Sequence, residues 1–245
     1  MPRIYLSPSL QEGNPTVLGI SEEELMNRVA DAMEPYLRSN GIEFTRNRPD
    51  MTLSQVIVES NQGNYDLHLA LHSNASPESL AGRLRGTDVY YYEPSAAGRQ
   101  AATVLANHFK EIYPDPSLVK AVPTTSLAEV SRTRAPAVLM ELAYHDNLED
   151  AQWLADNIDA IARNIVQGLD IYFGLPFVDA SAPRMGTVAT DRGSLNIRSR
   201  PDLTASILTS APKGAPITIL GQWRDWYIVN YNGVDGYAAS RYIQV

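Results

Sequence analysis

Cysteine is absent from this 245-residue sequence. That removes disulfides and thiolate metal sites together, so any metal would have to be held by His, Asp or Glu. Long apolar runs are missing too: nothing approaches the roughly 20 residues a membrane-spanning helix requires. The opening residues Met1-Pro2-Arg3-Ile4-Tyr5-Leu6 lack a charged leader followed by an apolar stretch, so no signal peptide is expected in this chain. Basic clusters are also lacking. Lys and Arg are scattered singly and the formal net charge is -8, which argues against a nucleic-acid partner. Any hold on an anionic wall or membrane must then come from specific contacts rather than general charge attraction. What is present, 44% apolar and 20% charged residues, is the composition of a soluble folded protein. The length suits one ordinary domain and a small one.

Element signals divide the chain accordingly. Ile4 to Leu6 reads as a short buried strand stopped by Ser7-Pro8-Ser9. Ser21 before Glu22, Glu23 and Glu24 marks a helix start, continued by Leu25, Val29, Ala32, Met33 and Leu37 at helical spacing and closed by Gly41. Strands are expected at 42–45, 65–73, 89–92 and 137–144, and helices at 52–61, 96–113 and over most of 148–173. The interleaving predicts an α/β fold with a mostly parallel or mixed sheet flanked by helices. Pro, Ala, Ser and Asp then replace the apolar periodicity around Pro176 to Pro183. Short strands separated by Lys213-Gly214, Asn232-Gly233 and Asp235-Gly236 follow, as in a small all-β barrel. The expected organisation is a first domain over 1–175, a linker over 176–184 and a second domain over 185–245.

Two places stand out for chemistry. Along Tyr65 to Ser73, alternation puts Leu67, Leu69 and Leu71 on one face and His68, Ala70 and His72 on the other. Four residues of strand span about 13 Å, so the two histidines cannot bind one metal. His72 lies at the strand's carboxyl end, where open α/β sheets carry their sites, and is the better candidate. The second place is Val138-Leu139-Met140-Glu141-Leu142-Ala143. An acid embedded there is costly to bury without a partner or a task.

Leu195-Asn196-Ile197-Arg198-Ser199-Arg200-Pro201, followed by Lys213-Gly214, Trp226-Tyr227-Ile228-Val229 and Gly236-Tyr237-Ala238, resembles the bacterial SH3 (SH3b) domain. The resemblance implies recognition of wall peptide or glycan, for which Trp223, Trp226, Tyr231 and Tyr242 are candidate contacts. The first part resembles the zinc-dependent N-acetylmuramoyl-L-alanine amidases over roughly residues 3–173. Three segments carry that likeness: Glu23-Glu24-Leu25-Met26-Asn27, Leu71-His72-Ser73-Asn74-Ala75 and Ala135 to Asn147.

The resemblance implies a peptidoglycan hydrolase acting outside the cell or at the wall. It would cut the amide between N-acetylmuramic acid and L-alanine, with Glu23 and His72 as ligands of Zn²⁺ and Glu141 as the general base for a metal-activated water. Asn74 and His145 are candidate substrate contacts. The family's first ligand, a histidine just after strand one, has no counterpart in Ser7-Pro8-Ser9-Leu10-Gln11. Gln11 is then the candidate third donor. The gap keeps a second reading open, that of a non-catalytic peptidoglycan-binding protein or regulator on a degenerate amidase fold. Oligomeric state is not legible.

Overall fold

Ile4, Tyr5 and Leu6 are wholly buried because their strand, β1 (Arg3–Pro8), runs inside a six-stranded sheet. The other strands are β2 (Glu43–Arg46), β3 (Leu67–Asn74), β4 (Thr87–Tyr92), β5 (Val119–Thr124) and β6 (Ala137–Tyr144), in the order β2-β1-β3-β6-β4-β5. β2, β1, β3 and β6 are mutually parallel; β4 is antiparallel to β6 and parallel to β5. The mixed sheet matches the expectation. The computed structural model describes residues 2–180 and 182–245; Met1, and Ser181 of the expected linker, lie outside the described residues.

Six helices fill the connections: α1 (Glu22–Ser39), α2 (Leu53–Gln62), α3 (Ala96–Phe109), the short α4 (Ala128–Ser131), α5 (Leu148–Asp156) and α6 (Ile158–Phe173). α1 starts where Ser21 Oγ accepts from the Glu24 N–H, and three glutamates occupy its first turn. α2 starts on a reciprocal capping box between Thr52 and Gln55. α6 ends at Gly174, whose φ of 68° is the left-handed conformation of a helix C-cap.

One local expectation needed revision: α3 stops at Phe109, short of Tyr113. The stretch from Leu148 to Phe173 is helical as expected, divided at Asn157 into α5 and α6. β5 and α4 carried no sequence signal. β5 contains Pro123 and Lys120, which weaken a strand pattern yet are tolerated because this strand sits at the sheet edge.

The chain divides into two units, one of residues 1–34 and 42–177 and the other of 35–41 and 178–245. In the second, seven strands pair antiparallel in the order β13-β7-β10-β11-β12-β8-β9, where β7 is Arg184–Val188, β8 Ser194–Arg198, β9 Ile207–Pro212, β10 Pro216–Trp223, β11 Trp226–Tyr231, β12 Val234–Ala239 and β13 Ile243–Gln244. Their core holds Val188, Ile197, Ile217, Ile219, Val229 and Ala238. Asn232 and Gly233, both at positive φ, make the two-residue turn between β11 and β12. Gly236 cannot be replaced in place: a Cβ there would lie 2.8 Å from the Arg198 carbonyl oxygen. This antiparallel seven-stranded sheet is the all-β module expected from the sequence.

Candidate active site

Parallel pairing of β3 with β6 places His72 directly beside Glu141, and His68 beside Ala137. Both histidines therefore share one sheet face with Glu141, His72 and Glu141 near the carboxyl ends of their strands. α2 and α4 cover that face. Val130 of α4 packs with Ala70, Ala137 and Leu139, and Val56 of α2 packs with Tyr5 and Met51. Between them lies a cavity of about 380 Å³ lined by Ser7, Ser9, Gln11, His72, Glu129 and Glu141, with apolar walls from Leu53, Val56, Leu127 and Leu139.

Carboxylates hold His72 at both ring nitrogens. Nδ1 lies 2.9 Å from Glu22 Oε1 and Nε2 lies 3.5 Å from Glu129 Oε2. Burial alone would pull the imidazolium pKa down, but hydrogen bonds to Glu129 and Glu22 reverse this and push it up to about 10. Burial pushes the pKa values of Glu22 and Glu129 up, but the hydrogen bond of Glu22 to His72 and those of Glu129 to His68 and His72 hold both below the ordinary carboxylate range. Glu129 also accepts from Ser7 Oγ and lies 3.1 Å from His68 Nε2. His68 in turn has Ser60 Oγ 2.9 Å from its Nδ1 and the Tyr5 ring stacked on it at 5.2 Å. The two histidines that the sequence placed on one face are thus bridged by a single carboxylate.

Glu141 behaves differently. Its Oε2 is buried with no hydrogen-bond partner among the described residues. Burial raises its pKa to about 7 against the opposing pull of His72, with Glu22 and Asp88 adding repulsion. An acid held near neutrality and opening on a cavity is equipped to take and return a proton.

Glu23, expected beside His72, is not the residue that reaches it. Glu22 is, fully withdrawn from solvent at 1% exposure. Glu22 heads a stripe of buried Leu25, Val29, Met33 and Tyr36, and Glu23 heads the adjoining stripe of buried Met26, Ala30 and Leu37, so both acids lie toward the buried side of α1 and the helix period alone does not choose between them. Gln11 is where the sequence suggested, its Nε2 3.5 Å from His72 Nδ1. Its Oε1 is taken by Asn14 Nδ2 at 2.5 Å, and Asn14 also donates to Glu22 Oε2 at 3.2 Å. Two expected substrate contacts lie elsewhere. His145 is buried with Nδ1 2.9 Å from the Ser73 carbonyl, and its own carbonyl accepts from Val17 N–H. Asn74 Oδ1 accepts from the Ala75 N–H, outside the cavity lining. Glu129 was missed altogether, because a four-residue helix leaves no periodic trace.

The residues present do not fit a catalytic zinc ion. Such an ion takes three protein donors and leaves a fourth position for water, and its imidazole ligands bind as the neutral ring. In this site both nitrogens of the one available imidazole face carboxylates, and the Gln11 carbonyl oxygen is engaged by Asn14. Among the described residues no three His, Asp or Glu side chains are grouped to hold a metal.

Fold and site together define the class: an α/β protein with an acid and an imidazole in register at the carboxyl ends of central parallel strands, where open sheets place their chemistry. Residues 6–170 match the family model described as N-acetylmuramoyl-L-alanine amidase, and the chain belongs to that family. Residues 193–244 match the bacterial SH3 domain.

Among solved structures, N-acetylmuramoyl-L-alanine amidase AmiC2 of Nostoc punctiforme is similar with a TM-score of 0.62 at 18% identity, over 71% of this chain and 97% of that one. The catalytic domain of CwlV, an N-acetylmuramoyl-L-alanine amidase from Bacillus (Paenibacillus) polymyxa var. colistinus, gives 0.62 at 21% identity, over 72% of this chain and all of that one. The putative N-acetylmuramoyl-L-alanine amidase YrvJ of Bacillus subtilis is 34% identical over 65 residues, which is 26% of this chain and only 12% of that protein.

Proposed function

We propose that the chain hydrolyses the amide joining N-acetylmuramic acid to L-alanine in peptidoglycan, outside the cell or at the wall, with Glu141 as the base that deprotonates the attacking water. The observation carrying this reading is Glu141 itself: an acid held at about 7, one oxygen unpartnered among the described residues, in register with His72 on a cavity wall. A carboxylate so placed takes a proton from water and returns it to the leaving amine, a shuttle contributing about 10²- to 10⁴-fold. Family membership supports the choice of bond. No step of this hydrolysis runs through zinc, whose need for three protein donors the side chains around His72 do not meet.

The second unit supports retention on the polymer. A groove of about 410 Å³ there is lined by Trp226 and Tyr242 beside Asp191, Arg192 and Arg198. Aromatic faces next to both signs of charge suit sugar rings and zwitterionic stem peptides. Of the four aromatic candidates, Trp226 and Tyr242 line the groove. Tyr231 packs on the core, and Trp223 carries the Arg224 guanidinium 4.4 Å above its ring. Holding the enzyme on its substrate raises the local concentration.

The test is incubation of the full chain with purified peptidoglycan, measuring newly exposed L-alanine amino groups. Wild type should release them, and Glu141→Gln, nearly isosteric, should lose about 10²-fold or more of the rate. Release of reducing sugar ends instead of amines would mean that a different bond is cut.

A further inference from the structure

A family that resembles zinc enzymes has in this chain a member whose donors do not assemble a zinc site, and what stands there instead has a chemistry of its own. Three features converge on the cavity. His72 is clasped by Glu22 and Glu129, one carboxylate at each nitrogen. Gln11 presents its NH₂ 3.5 Å from that ring, its orientation set by Asn14 Nδ2 at Oε1. Glu141 stands in register with His72 with one oxygen free among the described residues. Together they supply two of the things a metal site brings, a hydrogen-bond donor for a developing oxyanion and a base for water.

We infer that this chain cleaves its amide without a bound metal, with Glu141 activating the water and the Gln11 amide, beside the carboxylate-held His72 ring, receiving the oxyanion. The inference rests on the amidase reading above. In the first half-reaction the water oxygen bonds to the carbonyl carbon, its proton passes to the Glu141 carboxylate, and the C=O π pair moves onto oxygen, where Gln11 Nε2–H donates to it. In the second half-reaction the pair returns, the C–N bond breaks and Glu141 gives its proton to the leaving nitrogen. Amide and water become carboxylic acid and amine, and Glu141 is restored; no co-reactant is required. Gln11 touches the reacting oxygen and is the catalytic residue newly assigned. Asn14, Glu22 and Glu129 are positioning residues.

Gln11 is solvent-exposed, so its replacement should leave folding intact, to be confirmed by circular dichroism. The experiment takes the full chain, purified without added metal, and measures its zinc content by atomic emission and its zinc affinity by calorimetry. Amine release from peptidoglycan is then followed in excess chelator and in added zinc. The expected result is substoichiometric zinc, turnover equal within about twofold in chelator and in zinc, and a Gln11→Ala kcat lower by about 10²-fold with KM nearly unchanged.

Turnover abolished by chelator and restored by one tightly bound zinc per chain overturns the inference and leaves the amidase reading standing. Equal turnover in both media with a Gln11→Ala kcat like wild type removes Gln11 from the chemistry and overturns the inference as stated. No amine release under any condition defeats the amidase reading, and the inference with it.

Discussion

At the scale of single residues, the site is a contest among charges. Glu141 is the one acid of the cavity that burial wins, and it works as a base only when deprotonated. Activity should therefore climb as pH rises through about 7, where Glu141 loses its proton. His72 keeps its charge until about 10, so the rate should fall again beyond that pH. A plateau between these limbs is the expected profile of amine release; a profile flat through pH 7 would remove Glu141 from the rate equation. The neighbouring pair Glu22 and Glu23 gives a second residue-scale outcome. Glu22→Gln strips one carboxylate from the His72 ring and should lower kcat by about tenfold or more, since an ionised hydrogen bond is worth about 1.5 to 3 kcal/mol. Glu23→Gln, one step round the helix, should leave both rate and stability near wild type. Equal effects from the two would contradict the side-chain placement.

At the scale of elements, the least conspicuous one carries much of the arrangement. α4 has four residues, too few for helical cooperativity, and is fixed by Val130 in the cluster with Ala70, Ala137 and Leu139. Its purpose is visible in Glu129, which meets Ser7 of β1 and both histidines of β3. Glu129→Gln keeps the shape and removes the charge, so the alkaline limb set by His72 should move below about 10. A purely structural loss would lower the rate without moving that limb.

This element also marks where sequence reading stops. β1, β3, β6 and α1 were legible because each is an apolar pattern with clear stops, and His72 and Glu141 were legible as polar residues interrupting such patterns. α4 and β5 were not, since a four-residue helix has no period and an edge strand tolerates Lys120 and Pro123. The choice between Glu22 and Glu23 was not, because each heads a stripe of buried residues on α1, Leu25, Val29 and Met33 for one and Met26, Ala30 and Leu37 for the other.

At the scale of the whole molecule, stability itself should respond to pH through a group remote from this chemistry. Asp170 lies in the last turn of α6, 1% exposed, with neither oxygen hydrogen-bonded among the described residues. Burial raises its pKa from 3.8 to about 7, and a negative charge near a helix C-terminus is disfavoured by the dipole as well. The raised folded value means that between these pH values the folded chain binds the proton and the unfolded chain does not. Stability contributed by the protonated form is complete below about pH 4, erodes as pH climbs to about 7 and is gone above it. The loss has an upper bound of about 4 kcal/mol, taking roughly 1.4 kcal/mol per pKa unit. Asp170→Asn cannot ionise, so its midpoint in urea should match wild type at acid pH and exceed it increasingly up to neutrality. Glu22, Glu129 and His72 add their own pH dependence to both proteins alike, which the difference between the two curves removes. A difference that does not widen between pH 4 and 7 would mean that Asp170 is partnered or solvated in solution.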